Sequence, residues 1–157
     1  DRFMFIVRMD YPQREEEIMI ARQTTMGATA KLKKIINGTK LKQYQELVER
    51  IPVPEHVFEL AVDLVRRTRP GTKDAPKWLK QSVQWGAGPR AIQFLIRGAK
   101  AHALISGNFI TTTDDLEAVA EPVLYHRIIT NFHARSEGIT SSEVIRRLLE
   151  EARREER

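Results

Sequence analysis

From residue 39 onward, apolar side chains recur with the period of an α-helix in one segment after another. In the first of these segments the repeating residues are Leu41, Tyr44, Leu47 and Val48. The same spacing returns in residues 54–69, 88–107 and 140–152. Steps of three and four residues place such side chains on one helix face, which must be buried against another element. The sequence therefore predicts a small, mainly helical domain over residues 39–157.

Residues that start or end helices divide these segments. Gly107 follows the longest segment and predicts its end. Thr140 and Glu143 have the spacing of a capping box, which predicts the start of the last helix. Pro122 has no amide hydrogen to donate, so we expect it to kink or end the helix that contains it. A short helix is also expected over residues 75–85.

The first residues have a different pattern. Residues 2–9 are a nearly continuous apolar stretch, which is typical of a strand buried on both faces of a parallel α/β sheet. We expect a strand at 3–9 and a helix at 12–23, whose start is favoured by Pro12 and three glutamates. One strand cannot be stable alone, and its sheet is missing from this sequence. We therefore interpret the chain as a piece of a longer polypeptide, with residues 24–38 as a linker.

Composition limits the functions that the chain can have. It carries 26 Lys and Arg against 21 Asp and Glu, and in the last helix the two signs alternate at a spacing that pairs them. Aromatic residues make up only 7% of the chain and do not alternate with basic ones, so we do not expect nucleic-acid binding.

The absence of cysteine excludes disulfides and fits a reducing compartment, for which we expect the cytoplasm. No apolar run is long enough to cross a bilayer.

The stretch "WGAGPRA" at residues 85–91 combines features that favour anion binding. Pro89 fits the first turn of a helix, and Arg90 follows it, so a guanidinium lies beside the positive end of the helix dipole. Gly86 and Gly88 lack a Cβ and permit close approach of a backbone or a ligand. On spacing alone, a tight turn between two helices with an exposed arginine explains the same residues.

Several stretches, taken in order, resemble the C-terminal part of MoxR-type AAA+ ATPases over most of residues 1–150. They are "DRFMF", "IPVPEHV", "WGAGPRA", "EPVLYHRI" and "EGITSSEVIRRLL". The resemblance implies a mainly α fold, in which a helical-bundle lid at 39–157 follows one strand and one helix from the edge of an α/β ATPase core at 1–23.

The resemblance also implies roles for individual residues. Arg90 corresponds to a sensor 2 arginine, which with Gly88 and Pro89 lies near the nucleotide phosphate. Arg2 corresponds to an arginine finger that reaches the nucleotide of the neighbouring subunit, although a structural ion pair explains an arginine after an aspartate equally well. The cofactor implied is ATP with Mg²⁺. The partners implied are further copies of the chain in a ring, expected to be a hexamer, and a client protein remodelled in a chaperone-like cycle.

The sequence departs from a complete ATPase in one respect. It has no G-x-x-x-x-G-K-[ST] phosphate loop, so we expect Mg²⁺ to be held by upstream core residues and this segment to be inactive alone. A freestanding helical module that binds another protein is the alternative function. His126 and Arg127 have no chemical role derivable from sequence, and we expect a buried hydrogen-bonded pair or an interface. His126 and His133 lack a clear third ligand, so no metal site is expected.

Overall fold

The computed structural model describes residues 2–27 and 32–155, which contain eight α-helices and two short strands. Within these residues, none of the helices is both long and apolar enough to span a bilayer. A 3₁₀ turn at Tyr125–Arg127 separates the sixth helix from the second strand. In chain order the elements are α1 (Arg14–Thr25), α2 (Gly38–Arg50), α3 (Glu55–Arg67), α4 (Lys77–Ser82), β1 (Val83–Trp85), α5 (Pro89–Ile105), α6 (Thr113–Leu124), β2 (Ile129–Thr130), α7 (Phe132–Ser136) and α8 (Ser141–Glu155).

The core lies where α3, α5, α6 and α8 pack together. Each of these helices contributes a fully buried leucine: Leu64, Leu95, Leu116 and Leu148. Leu64, Leu95 and Leu148 lie in segments whose helical spacing predicted a buried face. Burying one such side chain stabilises the fold by roughly 1.5–3 kcal/mol. The predicted helical domain is therefore confirmed. Three of its core helices, α3, α5 and α8, come from the periodic segments, whereas α2 contributes no buried residue.

The boundaries of α5 and α6 follow from local chemistry. Beyond the end of α5, Gly107 has a φ of 82°, the left-handed conformation that glycine adopts without steric cost. Thr112 and Asp115 cap α6 reciprocally, since each side chain bonds to the other's backbone amide. Pro122 lies inside α6, which ends two residues later. The expectation was a kink or an end at Pro122, whereas the helix continues through Pro122 and ends at Leu124.

The short antiparallel ladder between β1 and β2 differs from the sequence-based prediction. Residues 75–85 were predicted to be one helix, but α4 ends at Ser82, and Val83 pairs with Thr130 while Trp85 pairs with Ile129. A three-residue strand has no detectable period in sequence, and its partner is more than 40 positions away along the chain. The ladder joins the loop before α5 to the segment after α6.

The predicted strand at 3–9 is not formed in this structure. Residues 5–13 have no regular secondary structure, and no described strand lies beside them. A strand needs a neighbour for its amide and carbonyl groups, so this segment packs against the helical domain instead. The amide of Ile6 donates to the carbonyl of Pro122 at 2.9 Å.

The helix predicted at 12–23 begins and ends two residues later, at Arg14 and Thr25. Gln13 and Glu16 form its capping box. Of the predicted linker at 24–38, residues 28–31 lie outside the described residues, and α2 begins at Gly38. The division of the chain into a core edge, a linker and a lid stays a prediction.

Candidate functional site

Arg90 is the second residue of α5, as the motif predicts. Gly88 is the N-cap residue and Pro89 the first helical residue, where its missing amide hydrogen has no consequence. The amide of Ala91 donates to the carbonyl of Gly88 at 3.0 Å and closes the first turn. No side chain caps this helix start. The positive end of α5 therefore keeps its affinity for an anion.

The loop before α5 is held rigidly against the end of α3. A Cβ added to Gly86 would lie 2.2 Å from the carbonyl oxygen of Thr68, so only glycine allows the two backbones to approach this closely. The amide of Ala87 donates to Thr68 Oγ1 at 2.9 Å, and Arg69 Nε donates to the Ala87 carbonyl at 2.8 Å. These contacts fix the direction in which α5 leaves the loop.

The side chain of Arg90 is exposed and makes no hydrogen bond or ion pair within the described part of the chain. Its charge acts on a second arginine nearby. Burial lowers the pKa of Arg127, and the positive charge of Arg90 lowers it further. The exposed guanidinium of Arg90 is therefore the group available to an anion, whereas the buried guanidinium of Arg127 already donates to main-chain carbonyls.

An apolar pocket of about 400 Å³ opens beside this helix start. It is lined by Arg69, Trp85, Gly86 and Pro89 among others. The side chain of Trp85 is 70% exposed and lies on the surface of this loop. The loop thus presents an aromatic surface and a guanidinium on adjacent parts of the molecule.

His126 is half-buried and Arg127 is buried, and each bonds to main-chain carbonyls rather than to the other. Arg127 is 5% exposed and donates to the main-chain carbonyls of Phe3, Met4 and Val123. His126 Nε2 lies 3.2 Å from the Phe3 carbonyl, so this nitrogen carries the proton. The pKa of His126 is lowered by burial and by the adjacent Arg127 charge, which keeps the ring neutral. Both residues therefore fasten the N-terminal segment to the helical domain.

Arg2 directly precedes this fastened backbone. Its side chain is exposed and pairs with no acidic group among the described residues. Asp1, the partner in the alternative ion-pair role, lies outside the described residues. The same described residues contain no cluster of three His, Asp or Glu side chains that could hold a metal ion.

Residues 77–148 match the family model of the AAA lid domain. They form an AAA lid domain. Over 155 residues the chain is 32% identical to Chaperone MoxR1 of Mycobacterium tuberculosis, covering 96% of this chain and 40% of MoxR1. It is 28% identical over 150 residues to the uncharacterized protein YeaC of Bacillus subtilis, covering 95% and 44% of the two chains.

A solved structure agrees with these sequence matches. The crystal structure of a candidate ATPase from Cytophaga hutchinsonii superposes with a TM-score of 0.81 at 27% identity, covering 95% of this chain and 46% of that one. The resemblance to the C-terminal part of MoxR-type AAA+ ATPases is thus confirmed, as is the mainly helical lid fold. The chain spans less than half the length of each of these three relatives.

Sequence reasoning named Arg90 and Arg2 as candidate site residues, which stay predictions, but it did not reveal the contacts that connect their surroundings. The Gly-Pro-Arg order was enough to predict the start of α5. The role of Arg127 had no local signal, because its acceptors lie more than 120 positions away at the other end of the chain. Only the folded structure brings the segment after Arg2 beside the helix that begins at Arg90.

Proposed function

We propose that this chain is the C-terminal segment of a MoxR-type AAA+ ATPase whose lid senses the bound nucleotide through Arg90. In this proposal the guanidinium of Arg90 binds the terminal phosphate of ATP as a sensor 2 residue, and Arg2 acts as an arginine finger toward a neighbouring subunit. Residues 1–23 are the edge of the ATPase core, and residues 39–157 are its lid. The parent protein is a ring, with six subunits expected, that remodels a client protein.

One observation carries this proposal: Arg90 is exposed, without a partner in the described chain, at an uncapped helix start that a rigid loop holds in place. Arginine suits a phosphate because its planar group donates two parallel hydrogen bonds. Gly88 and Pro89 leave the approach to the helix start free of bulky side chains. Since the loop is fixed before ATP binds, little conformational entropy is lost in forming the contact.

The segment supplies charge rather than the whole catalytic apparatus. ATP fits the exposed guanidinium, whereas the described residues offer no acidic cluster for Mg²⁺. We assign the phosphate loop and the metal ligands to the part of the parent protein upstream of this chain. An arginine finger accelerates phosphoryl transfer by about 10³–10⁵-fold. Two arginines on one segment therefore suffice to control hydrolysis that is carried out elsewhere.

Substitutions in the full-length protein test the proposal. We expect Arg90→Ala to lower the turnover of ATP by at least about tenfold, the factor that corresponds to 1.36 kcal/mol of transition-state stabilisation. Arg90→Lys keeps the charge but loses the forked geometry, so it restores only part of the activity. Arg154→Ala is the control, since Arg154 is another exposed lid arginine without a described partner. Equal activities in the Arg90→Ala and Arg154→Ala proteins refute the sensor role.

The upstream coding sequence separates this proposal from the alternative. A phosphate loop encoded before Asp1 is required by an ATPase. A freestanding interaction module needs no phosphate loop. If the coding sequence upstream of Asp1 encodes no phosphate loop, the interaction module is favoured.

A further inference from the structure

Three main-chain carbonyls converge on the guanidinium of Arg127. Its Nη1 donates to Met4 at 3.2 Å and also to Val123, and its Nη2 donates to Phe3. Phe3 and Met4 are the two residues that follow Arg2, whereas Val123 lies in the last turn of α6. One buried side chain therefore connects the backbone beside Arg2 to the lid.

The same guanidinium also contacts α5. Its central carbon lies 5.0 Å from the centroid of the Phe94 ring, within the range of a cation–π interaction. Phe94 is four residues after Arg90, so the two side chains lie on the same face of α5. The guanidinium of Arg127 thus contacts both the backbone that follows Arg2 and a side chain one turn after Arg90 on α5.

A second set of contacts fixes the same segment from its apolar side. Gly98 of α5 leaves room for Met4 and Phe5, whose side-chain carbons would lie 3.3 Å from an added Cβ. Further along, Arg8 pairs with Glu121 at 3.0 Å and stacks on Tyr125. The segment is therefore docked along its length. Among the described residues, Arg127 and His126 are the ones that bond to the carbonyl of Phe3, the residue directly after Arg2.

We propose that Arg127 is a positioning residue that sets the direction of Arg2, and so couples the arginine finger to the lid. The inference rests on the proposed function. A guanidinium at this place is costly to bury, and an apolar side chain of similar volume often stabilises a fold as well as a buried charge does. What an apolar side chain cannot do is to hold several carbonyls in a fixed arrangement. A displacement of about 1 Å at a catalytic group lowers a rate by up to roughly 10²-fold.

Double substitutions in the full-length protein distinguish positioning from a general structural role. The measured quantities are the single-turnover rate of ATP hydrolysis, the KM for ATP and the thermal unfolding midpoint. We expect Arg127→Ala to lower the rate by 10-fold to 100-fold with less than a twofold change in KM. In an Arg2→Ala background the same substitution has no further effect, because no finger is left to position. In an Arg90→Ala background it keeps its full effect.

The controls make each outcome informative. Arg8→Ala removes a docking contact of the same segment that lies away from Arg2, and we expect the rate to fall less than twofold. If Arg127→Ala prevents folding, Arg127→Lys replaces it, because lysine keeps the charge with fewer hydrogen-bond donors. We expect Arg127→Lys to lower the rate by less than Arg127→Ala, and to have no further effect in the Arg2→Ala background. An equal loss of rate in the Arg2→Ala and wild-type backgrounds overturns the positioning role while leaving the finger intact. Unchanged rates for Arg2→Ala itself and for Arg90→Ala refute the proposed function and the inference together.

Discussion

Substitution of Gly86 by alanine tests whether the loop before α5 is as rigid as its contacts indicate. The added Cβ would lie 2.2 Å from the Thr68 carbonyl oxygen, 2.6 Å from its carbonyl carbon and 2.8 Å from Arg69 Cα. All three are backbone atoms, so no side chain can move aside. The loop itself has to move by about 1 Å to reach an ordinary contact distance.

That movement breaks two hydrogen bonds. One joins the Ala87 amide to Thr68 Oγ1, and the other joins Arg69 Nε to the Ala87 carbonyl. A neutral hydrogen bond contributes about 0.5–1.5 kcal/mol and one from a charged donor about 1.5–3 kcal/mol. We therefore expect the free energy of local opening at this loop to fall by about 2–4 kcal/mol. Such a change accelerates amide exchange by roughly 30-fold to several hundred-fold.

Hydrogen exchange of the Ala87 amide in the full-length protein measures this effect directly. Gly71→Ala is the matched control, because a Cβ at Gly71 meets no atom within 4 Å, and it should leave exchange unchanged. We also expect the Gly86→Ala protein to lose ATP turnover, because the displaced loop moves the start of α5 and therefore the position of Arg90. If Ala87 exchanges at the same rate in both variants, the loop is not held as described.

Two further predictions concern the stability of the lid. Leu95→Ala removes a fully buried side chain and should lower the free energy of unfolding by about 2–5 kcal/mol. The measurement is the thermal unfolding midpoint, which should fall. An unchanged midpoint would mean that α5 is not central to the core. Burial opposes ionisation of Asp115, but hydrogen bonds from His102 and Thr112 outweigh it and hold the pKa of Asp115 below its usual value of 3.8. The stability that ionised Asp115 contributes to the fold is therefore present above pH 4. It is lost as the pH falls through the lowered pKa. Acid unfolding followed by circular dichroism should show an Asp115→Asn variant losing less stability over that range than the unsubstituted protein, and equal losses would contradict the assignment.

Elements that depend on local sequence could be predicted well. The apolar repeats located α3, α5 and α8, because burial of one helix face is encoded in the spacing of consecutive residues. The start of α5 followed from Gly88 and Pro89, whose backbone preferences act on the residues next to them. The capping spacing of Thr140 and Glu143 likewise marked the start of α8, where the amide of Glu143 donates to Thr140 Oγ1 at 3.3 Å.

Elements that depend on partners distant in the sequence could not be predicted. The apolar run at 3–9 has the composition of a buried strand, but a strand forms only beside another, and the described chain provides none for it. The ladder between β1 and β2 was missed for the converse reason, since two short strands acquire their structure from each other.

The central claim is that the guanidinium of Arg90 contacts the terminal phosphate of bound ATP. The most direct measurement is a structure of the assembled full-length protein with a non-hydrolysable ATP analogue. The account predicts a nitrogen of Arg90 about 2.7–2.9 Å from a terminal phosphate oxygen, of the same subunit or of a neighbour. An Arg90 side chain in solvent, away from every nucleotide in the assembly, would contradict it.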